Sequence, residues 1–262
     1  MTDAAADQAT PGRWIPFEAG FNFRDLGGYP ARDGTTVRWG RLYRADTLHR
    51  LSASDLSALR DLGLRTVVDL RAASEIDDFG RLDLDACPAP AWHHVPMLDV
   101  VVLRPNEAEE IDEPPAPTER SDPGAHYVEL LGSGEAAVRV ISLLAREGGL
   151  PAVFHCTAGR DRTGMVAAMV LELLGVPDDV IGHDYELTNE ARSRSDAWIA
   201  QNEPEFAAYL ARFSPDQRVT RGETILGFLA GLRARYGSVE QLLVDRGLRP
   251  VGLDRLRGRL LD

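Results

Sequence analysis

The sequence predicts an α/β fold: a central, mostly parallel sheet flanked by helices on both faces. Three observations predict it. Thr66-Val67-Val68-Asp69-Leu70 and Pro151-Ala152-Val153-Phe154 are short apolar runs with the length and composition of buried strands. From about Asp161 to Leu174 the pattern changes to a helical period, with Met165, Val166, Met169, Val170, Leu173 and Leu174 on one face. Strand-like and helix-like stretches alternate along the chain, and no internal repeat is present.

Each element follows in order. Residues 1–13 are expected to form a disordered tail, and 14–262 a single domain. Trp14 to Asp46 reads as short strands and turns, punctuated by Gly27-Gly28 and Asp33-Gly34. A helix opens after Leu51, where Ser52 can cap it and Asp55 suits its first turn; Gly63 closes it. After the Thr66–Leu70 strand, Trp92 to Met97 reads as another. A long irregular stretch, from about Asp99 to Gly124, is rich in Asp, Glu and Pro, and loops of that length are commonly functional. Helices are expected from about Ala125 to Leu131 and from about Glu135 to Glu147. The remainder, to Asp262, reads as helices with Gly or Pro breaks. Within it Ser238-Val239-Glu240-Gln241 has capping-box spacing.

The bulk numbers exclude several classes. The chain has 262 residues, 44% hydrophobic and 27% charged, as in ordinary globular proteins. A chain of that length buries most of its apolar surface without crosslinks. Its formal net charge is −12, which argues against nucleic acid as a partner, since phosphate backbones need a basic footprint. Two cysteines, Cys87 and Cys156, cannot make a disulfide framework, so free thiols in a reducing, cytoplasmic compartment are expected. No stretch of about 18 apolar residues suggests a membrane span. The opening MTDAAADQATPG lacks the basic and apolar regions of a Sec signal peptide, although secretion by another route stays open.

One segment carries chemistry: His155-Cys156-Thr157-Ala158-Gly159-Arg160-Asp161-Arg162-Thr163-Gly164, set between an apolar strand and a helix. A tight loop there would turn successive backbone N–H groups inward as an anion-binding nest over Thr157, Ala158, Gly159, Arg160 and Asp161. The following helix adds its positive end. Gly159 permits backbone geometry that other residues resist. Arg162 offers a planar fork that matches two phosphate oxygens. The same positive surroundings favour the thiolate of Cys156, a nucleophile placed directly under a bound phosphate. Thr163 could donate a hydrogen bond to the sulfur as it leaves. His155 is expected to orient the loop, since a thiolate needs no base.

His-Cys-x5-Arg-Thr-Gly resembles the motif of the protein tyrosine phosphatase superfamily. Gly159 to Gly164 looks like the bacterial tyrosine/serine phosphatase branch, which usually has lysine at the position of Arg160. Asn22-Phe23-Arg24-Asp25-Leu26-Gly27-Gly28, Gly40-Arg41-Leu42-Tyr43-Arg44, Val68-Asp69-Leu70-Arg71 and Tyr236-Gly237-Ser238 are also similar to that branch, so the resemblance runs from about residue 14 to 262. It implies a tyrosine phosphatase-like fold and hydrolysis of phosphotyrosine, with phosphoserine or phosphothreonine as further substrates, through a phosphocysteine intermediate. No metal or cofactor is implied. It also implies a helical lid, expected over about 184–222; the alternative is a plain surface helical pair.

Cleavage of an ester also needs a proton donor for the leaving oxygen. Asp99 follows Val95-Pro96-Met97-Leu98, where the branch's proposed acid stands. Asp161 and Asp69 are the alternatives; Asp161 could instead orient Arg160, and Asp69 could pair with an arginine. Arg24, Asp25, Arg44 and Arg71 read as supporting ion pairs rather than substrate contacts. Adjacent His93 and His94 point to opposite faces of a strand and lack a third ligand, so no metal site is expected. Cys87 reads as packing, or as a partner that protects Cys156 by a reversible disulfide. The rival functions are phosphoinositide or small phosphate ester hydrolysis, arsenate reduction with Cys87 as resolving thiol, and phosphate binding without catalysis.

Overall fold

The computed structural model describes residues 12–87, 89–97 and 123–262. Among the described residues five strands form one sheet: β1 (Arg24–Asp25), β2 (Leu42–Ala45), β3 (Thr66–Asp69), β4 (Ala91–His94) and β5 (Ala152–His155). Their order is β1-β2-β5-β3-β4; β1 runs antiparallel to β2, and the other pairs are parallel. The expected mostly parallel α/β sheet is therefore present. The last strand in sequence lies at its centre.

The helices are α1 (Ala53–Asp61), α2 (Ala73–Phe79), α3 (Pro123–Leu130), α4 (Glu135–Ala145), α5 (Asp161–Leu173), α6 (Asp178–Glu186), α7 (Thr188–Asn202), α8 (Pro204–Leu210), α9 (Gly222–Tyr236), α10 (Val239–Asp245) and α11 (Pro250–Leu260). Local chemistry sets their ends. Ser52 accepts from Asp55 N while the Asp55 carboxylate takes Ser52 N, a reciprocal cap that starts α1. Ser238 caps α10 by accepting from Gln241 N. The strand expected over Trp92–Met97 ends at His94, because Pro96 has no N–H to offer. The N–H groups of Val95 and Met97 still pair with the carbonyls of Asp69 and Leu70.

Alternate side chains of the central strands enter two separate cores. Val68, Leu70, Ala152 and Phe154 join one, with α4, α5, α9 and α11. Val67 and Val153 join the other, with Phe17, Leu48, Leu59, Leu82 and Cys87. This is the period of two expected of strands buried on both faces. Helix α5 departs from the one-faced pattern read from its large residues. Gly164, Ala167, Ala168 and Leu171 are buried as fully as Met165 and Met169. The small residues let neighbours approach closely: a Cβ on Gly164 would lie 2.5 Å from the Tyr185 ring. Among the described residues no helix is long and apolar enough to cross a membrane.

Candidate active site

The loop from Cys156 to Arg162 joins the carboxyl end of β5 to α5, at the crevice where open α/β sheets bind ligands. Its outer side is fastened. Thr47 N donates to Thr157 O at 3.0 Å, Asn22 Nδ2 to the carbonyls of Ala158 and Gly159 at 3.1 Å each, and Arg44 Nη2 to Gly159 O at 2.7 Å. Carbonyl and N–H point oppositely across a trans peptide. Three carbonyls drawn outward therefore turn the N–H groups of Ala158, Gly159 and Arg160 the other way, as an anion-binding nest requires. Gly159 has φ +66°, and a Cβ there would meet Ala45 O at 2.7 Å. Both facts demand glycine.

The fastening residues form a buried ion network. Asp184, on α6, takes Arg24 Nε at 3.1 Å, Arg44 Nη1 at 2.6 Å and the Tyr29 hydroxyl at 2.9 Å. Burial alone would raise the Asp184 pKa, but the two guanidinium groups hold it far below the usual carboxylate range. Asp25 accepts from Gly27 N and Gly40 N and fixes the turns beside β1.

Cys156 is buried, at 2% exposure. Beneath it His155 is fully buried, its Nδ1 3.2 Å from Cys156 O and its Nε2 3.5 Å from Asp69. Burial lowers the His155 pKa, against the pull of the Asp69 carboxylate. Asp69 receives Arg71 Nε at 2.9 Å and Nη2 at 2.7 Å. Burial works against its charge, but His155 and Arg71 outweigh that and hold its pKa at about 2. Thr163 Oγ1 is buried, with no hydrogen-bond partner among the described residues.

Arg162 has a partner that sequence reasoning missed. Glu75, in the first turn of α2, takes Arg162 Nη2 at 2.8 Å and also bonds Nη1. The same carboxylate accepts from the Thr157 hydroxyl and, at 2.8 Å, from Ala72 N. Burial opposes the charge of Arg162, yet Glu75, with Cys156 and Asp161, raises its pKa. Asp161 lies half-buried in the loop. Arg160 Nε bonds both its oxygens at 3.1 Å, and the Tyr127 hydroxyl donates to it. Burial would raise its pKa, but Arg160 and Tyr127 lower it. Asp99 lies outside the described residues.

A cavity of about 390 Å³ opens over the loop. The loop residues Thr157, Ala158 and Arg160 line it, with Phe21, His49 and Phe79, and with Ile199 and Phe206 from α7 and α8. The ends of the 184–222 segment read as a lid belong elsewhere. Asp184 and Tyr185 are buried in the network and core just described, and Gly222 begins α9, whose Ile225 and Phe228 are core. Only the part between them borders the cavity. Of the adjacent histidines, His93 Nε2 lies 3.0 Å from Arg146 and His94 Nε2 2.9 Å from Arg71 O, so they diverge as the strand period requires.

Cys87 and Cys156 are both free thiols. Cys156 belongs to the core on one face of the sheet and Cys87 to the core on the other. Cys87 is packing, and burial pushes its thiol pKa up. Arsenate reduction loses its only resolving thiol with it.

A buried cysteine in an anion-binding loop, followed by an arginine held by a carboxylate, defines a cysteine-dependent phosphatase. The chain belongs to the tyrosine phosphatase family, whose model matches residues 15–262. It is similar to "Triple specificity protein phosphatase PtpB" of Mycobacterium tuberculosis, at 30% identity over 96% of this chain and 98% of that one. It is also 30% identical to "Putative tyrosine-protein phosphatase H16_A0669" of Cupriavidus necator, over 100% of this chain and 93% of that one. The solved Siw14 catalytic core is 15% identical over 66% of this chain and 89% of its own, with a TM-score of 0.35.

Proposed function

We propose that the chain hydrolyses phosphotyrosine in proteins, and phosphoserine or phosphothreonine as well, with Cys156 as nucleophile and Arg162 as phosphate clamp. The observation that carries this reading is the fastened loop: its carbonyls are bound outward around a buried Cys156, and Arg162 is aligned by Glu75. The thiolate attacks phosphorus and the P–O bond to the leaving group breaks, giving phosphocysteine. Loop N–H groups and Arg162 stabilise the charge on the equatorial oxygens. Asp99 gives its proton to the leaving oxygen and then takes one from the water that cleaves the P–S bond. Asp161 and Asp69, the other carboxylates considered, are each held as anions by an arginine, which favours Asp99 as donor. Thr163, whose hydroxyl has no partner among the described residues, donates to the departing sulfur.

The segment α7–α8 acts as a lid. Arg194 Nη2 ties it to Phe21 O at 3.0 Å, and its inner residues face the cavity. The breadth of substrates is supported by the name of the mycobacterial relative. A free catalytic thiol favours work in the cytoplasm.

The test is hydrolysis of p-nitrophenyl phosphate and a phosphotyrosine peptide in EDTA, with wild type beside Cys156→Ser. Turnover by wild type and none by the variant is the expected result. No turnover by folded, reduced wild type would sink the reading.

A further inference from the structure

Among the described residues four arginines line the cavity, and three are engaged. Arg160 is spent on Asp161. Arg192 donates to Arg218 O, and Arg218 bonds Asp196 at 2.6 Å. Arg50, just before α1, differs. Its side chain is only 10% exposed, yet its two carboxylate neighbours stand beyond hydrogen-bond length: Asp46 at 3.6 Å and Glu203 at 3.7 Å. Its Nε is buried without a partner among the described residues. A guanidinium has five donors, and a buried one left unpaired is costly. The Asp46 carboxylate is already committed to the N–H groups of Phe21 and Asn22, at 3.2 Å each. The Arg50 guanidinium also lies over the Trp198 ring, 4.9 Å away, and the Phe21 ring, 5.8 Å away, contacts that use none of its hydrogens.

We propose that Arg50 is a second anion subsite of the active-site cavity, and that it takes an acidic side chain close in sequence to the phosphorylated residue of a phosphopeptide. Phe21, Phe79 and Phe206 around the cavity suit a phenyl ring and an extended peptide better than the hydroxyl-rich ring of an inositol headgroup. In the free enzyme Glu203 stands in for the substrate's carboxylate. Its side chain is 32% exposed, so it can turn to water at little cost. An incoming carboxylate at hydrogen-bond distance replaces this loose pair with a bidentate one. Because Glu203 lies between α7 and α8, the same exchange frees one tie between the cavity wall and these helices.

The experiment compares kcat/KM for two phosphotyrosine peptides that differ only in Glu or Gln beside the phosphotyrosine. Wild type is expected to prefer the Glu peptide about tenfold, the worth of one charge-assisted hydrogen bond. Arg50→Gln is expected to bring the ratio near one, and Arg50→Lys to keep part of it. Glu203→Gln removes the stand-in and should widen the ratio. A purely structural Arg50 would lower both rates alike and leave the ratio unchanged, which overturns the proposal. Should Arg50→Gln not fold, an unchanged ratio in Glu203→Gln overturns it equally. Loss confined to vesicles of phosphatidylinositol monophosphate, with the peptide ratio intact, would make this a headgroup subsite and refute the peptide.

Discussion

Glu75 grips both terminal nitrogens of Arg162 across 87 residues of sequence, and its carboxylate also reaches the Thr157 hydroxyl at the other end of the phosphate loop. One side chain on α2 thus sets the spacing between the two ends of the anion site. The bond is bidentate and buried, so it fixes the plane of the guanidinium before any substrate arrives.

Glu75→Gln keeps the shape of the side chain and removes its charge. Arg162 then loses its aligned partner, and kcat/KM for p-nitrophenyl phosphate is expected to fall about ten- to a hundredfold. The loss should lie mostly in kcat, because the clamp matters most when charge develops on phosphate. Steady-state kinetics that show only a change in KM would count against this role.

The proton donor can be separated from the loop carboxylate by leaving group. Asp99→Asn is expected to slow hydrolysis of an alkyl phosphate strongly and of p-nitrophenyl phosphate much less, since nitrophenolate leaves without a proton. Asp161→Asn should slow both alike, because Asp161 bonds Arg160 and Tyr127 and, on the proposed assignment, supplies no proton. The reverse pattern would exchange the two assignments.

Asp184→Asn leaves Arg24 and Arg44 buried beside a neutral amide. Stripping one partner from a buried ion cluster costs about 3–5 kcal/mol. The midpoint of urea unfolding should shift accordingly. Activity should fall with it, because Arg44 also fastens Gly159 O.

Acid is expected to weaken the fold through histidine before it reaches the carboxylates. Burial, with Arg71 and Arg50 nearby, pushes the His49 pKa from 6.5 down to about 4. The unfolded chain therefore binds a proton that the folded one refuses. This stability is complete above pH 6.5 and is lost as pH falls towards 4. His155, shifted in the same direction, adds to the slope. Asp69, held at about 2 against an ordinary 3.8, contributes its own loss only below that window. His49→Gln should flatten the decline of the unfolding midpoint between pH 6.5 and 4, leaving the His155 share. Parallel curves for variant and wild type would remove His49 from the account.

The loop, its strand and its helix were legible because they are contiguous: the motif from His155 to Gly164 carries the proposed nucleophile, nest and clamp together. Arg24, Arg44 and Arg71 were also read correctly as supports. Their partners were partly hidden. Asp69 is two residues from Arg71, within reach of a sequence argument, whereas Asp184 lies 160 residues from Arg24. Glu75 left only a faint trace, an acidic residue three places after Ala72 at the start of a short helix. Large apolar residues alone suggested a one-sided α5. Its other sides are covered through Gly164, Ala167 and Ala168, and small residues do not register as hydrophobic periodicity. The choice between packing and a disulfide for Cys87 was open for a related reason, since one-dimensional order does not say on which face of a sheet a residue lies.

The enclosure of α5 has a kinetic consequence. With every residue but Asp161 and Glu172 buried, this helix has little partial opening of its own, and the amide hydrogens of its interior should exchange only when the whole domain unfolds. The catalytic loop is spliced to its first turn. Loss of the nucleophile's geometry and global unfolding should therefore be one event, and chemical inactivation in denaturant should follow the same cooperative curve as loss of structure.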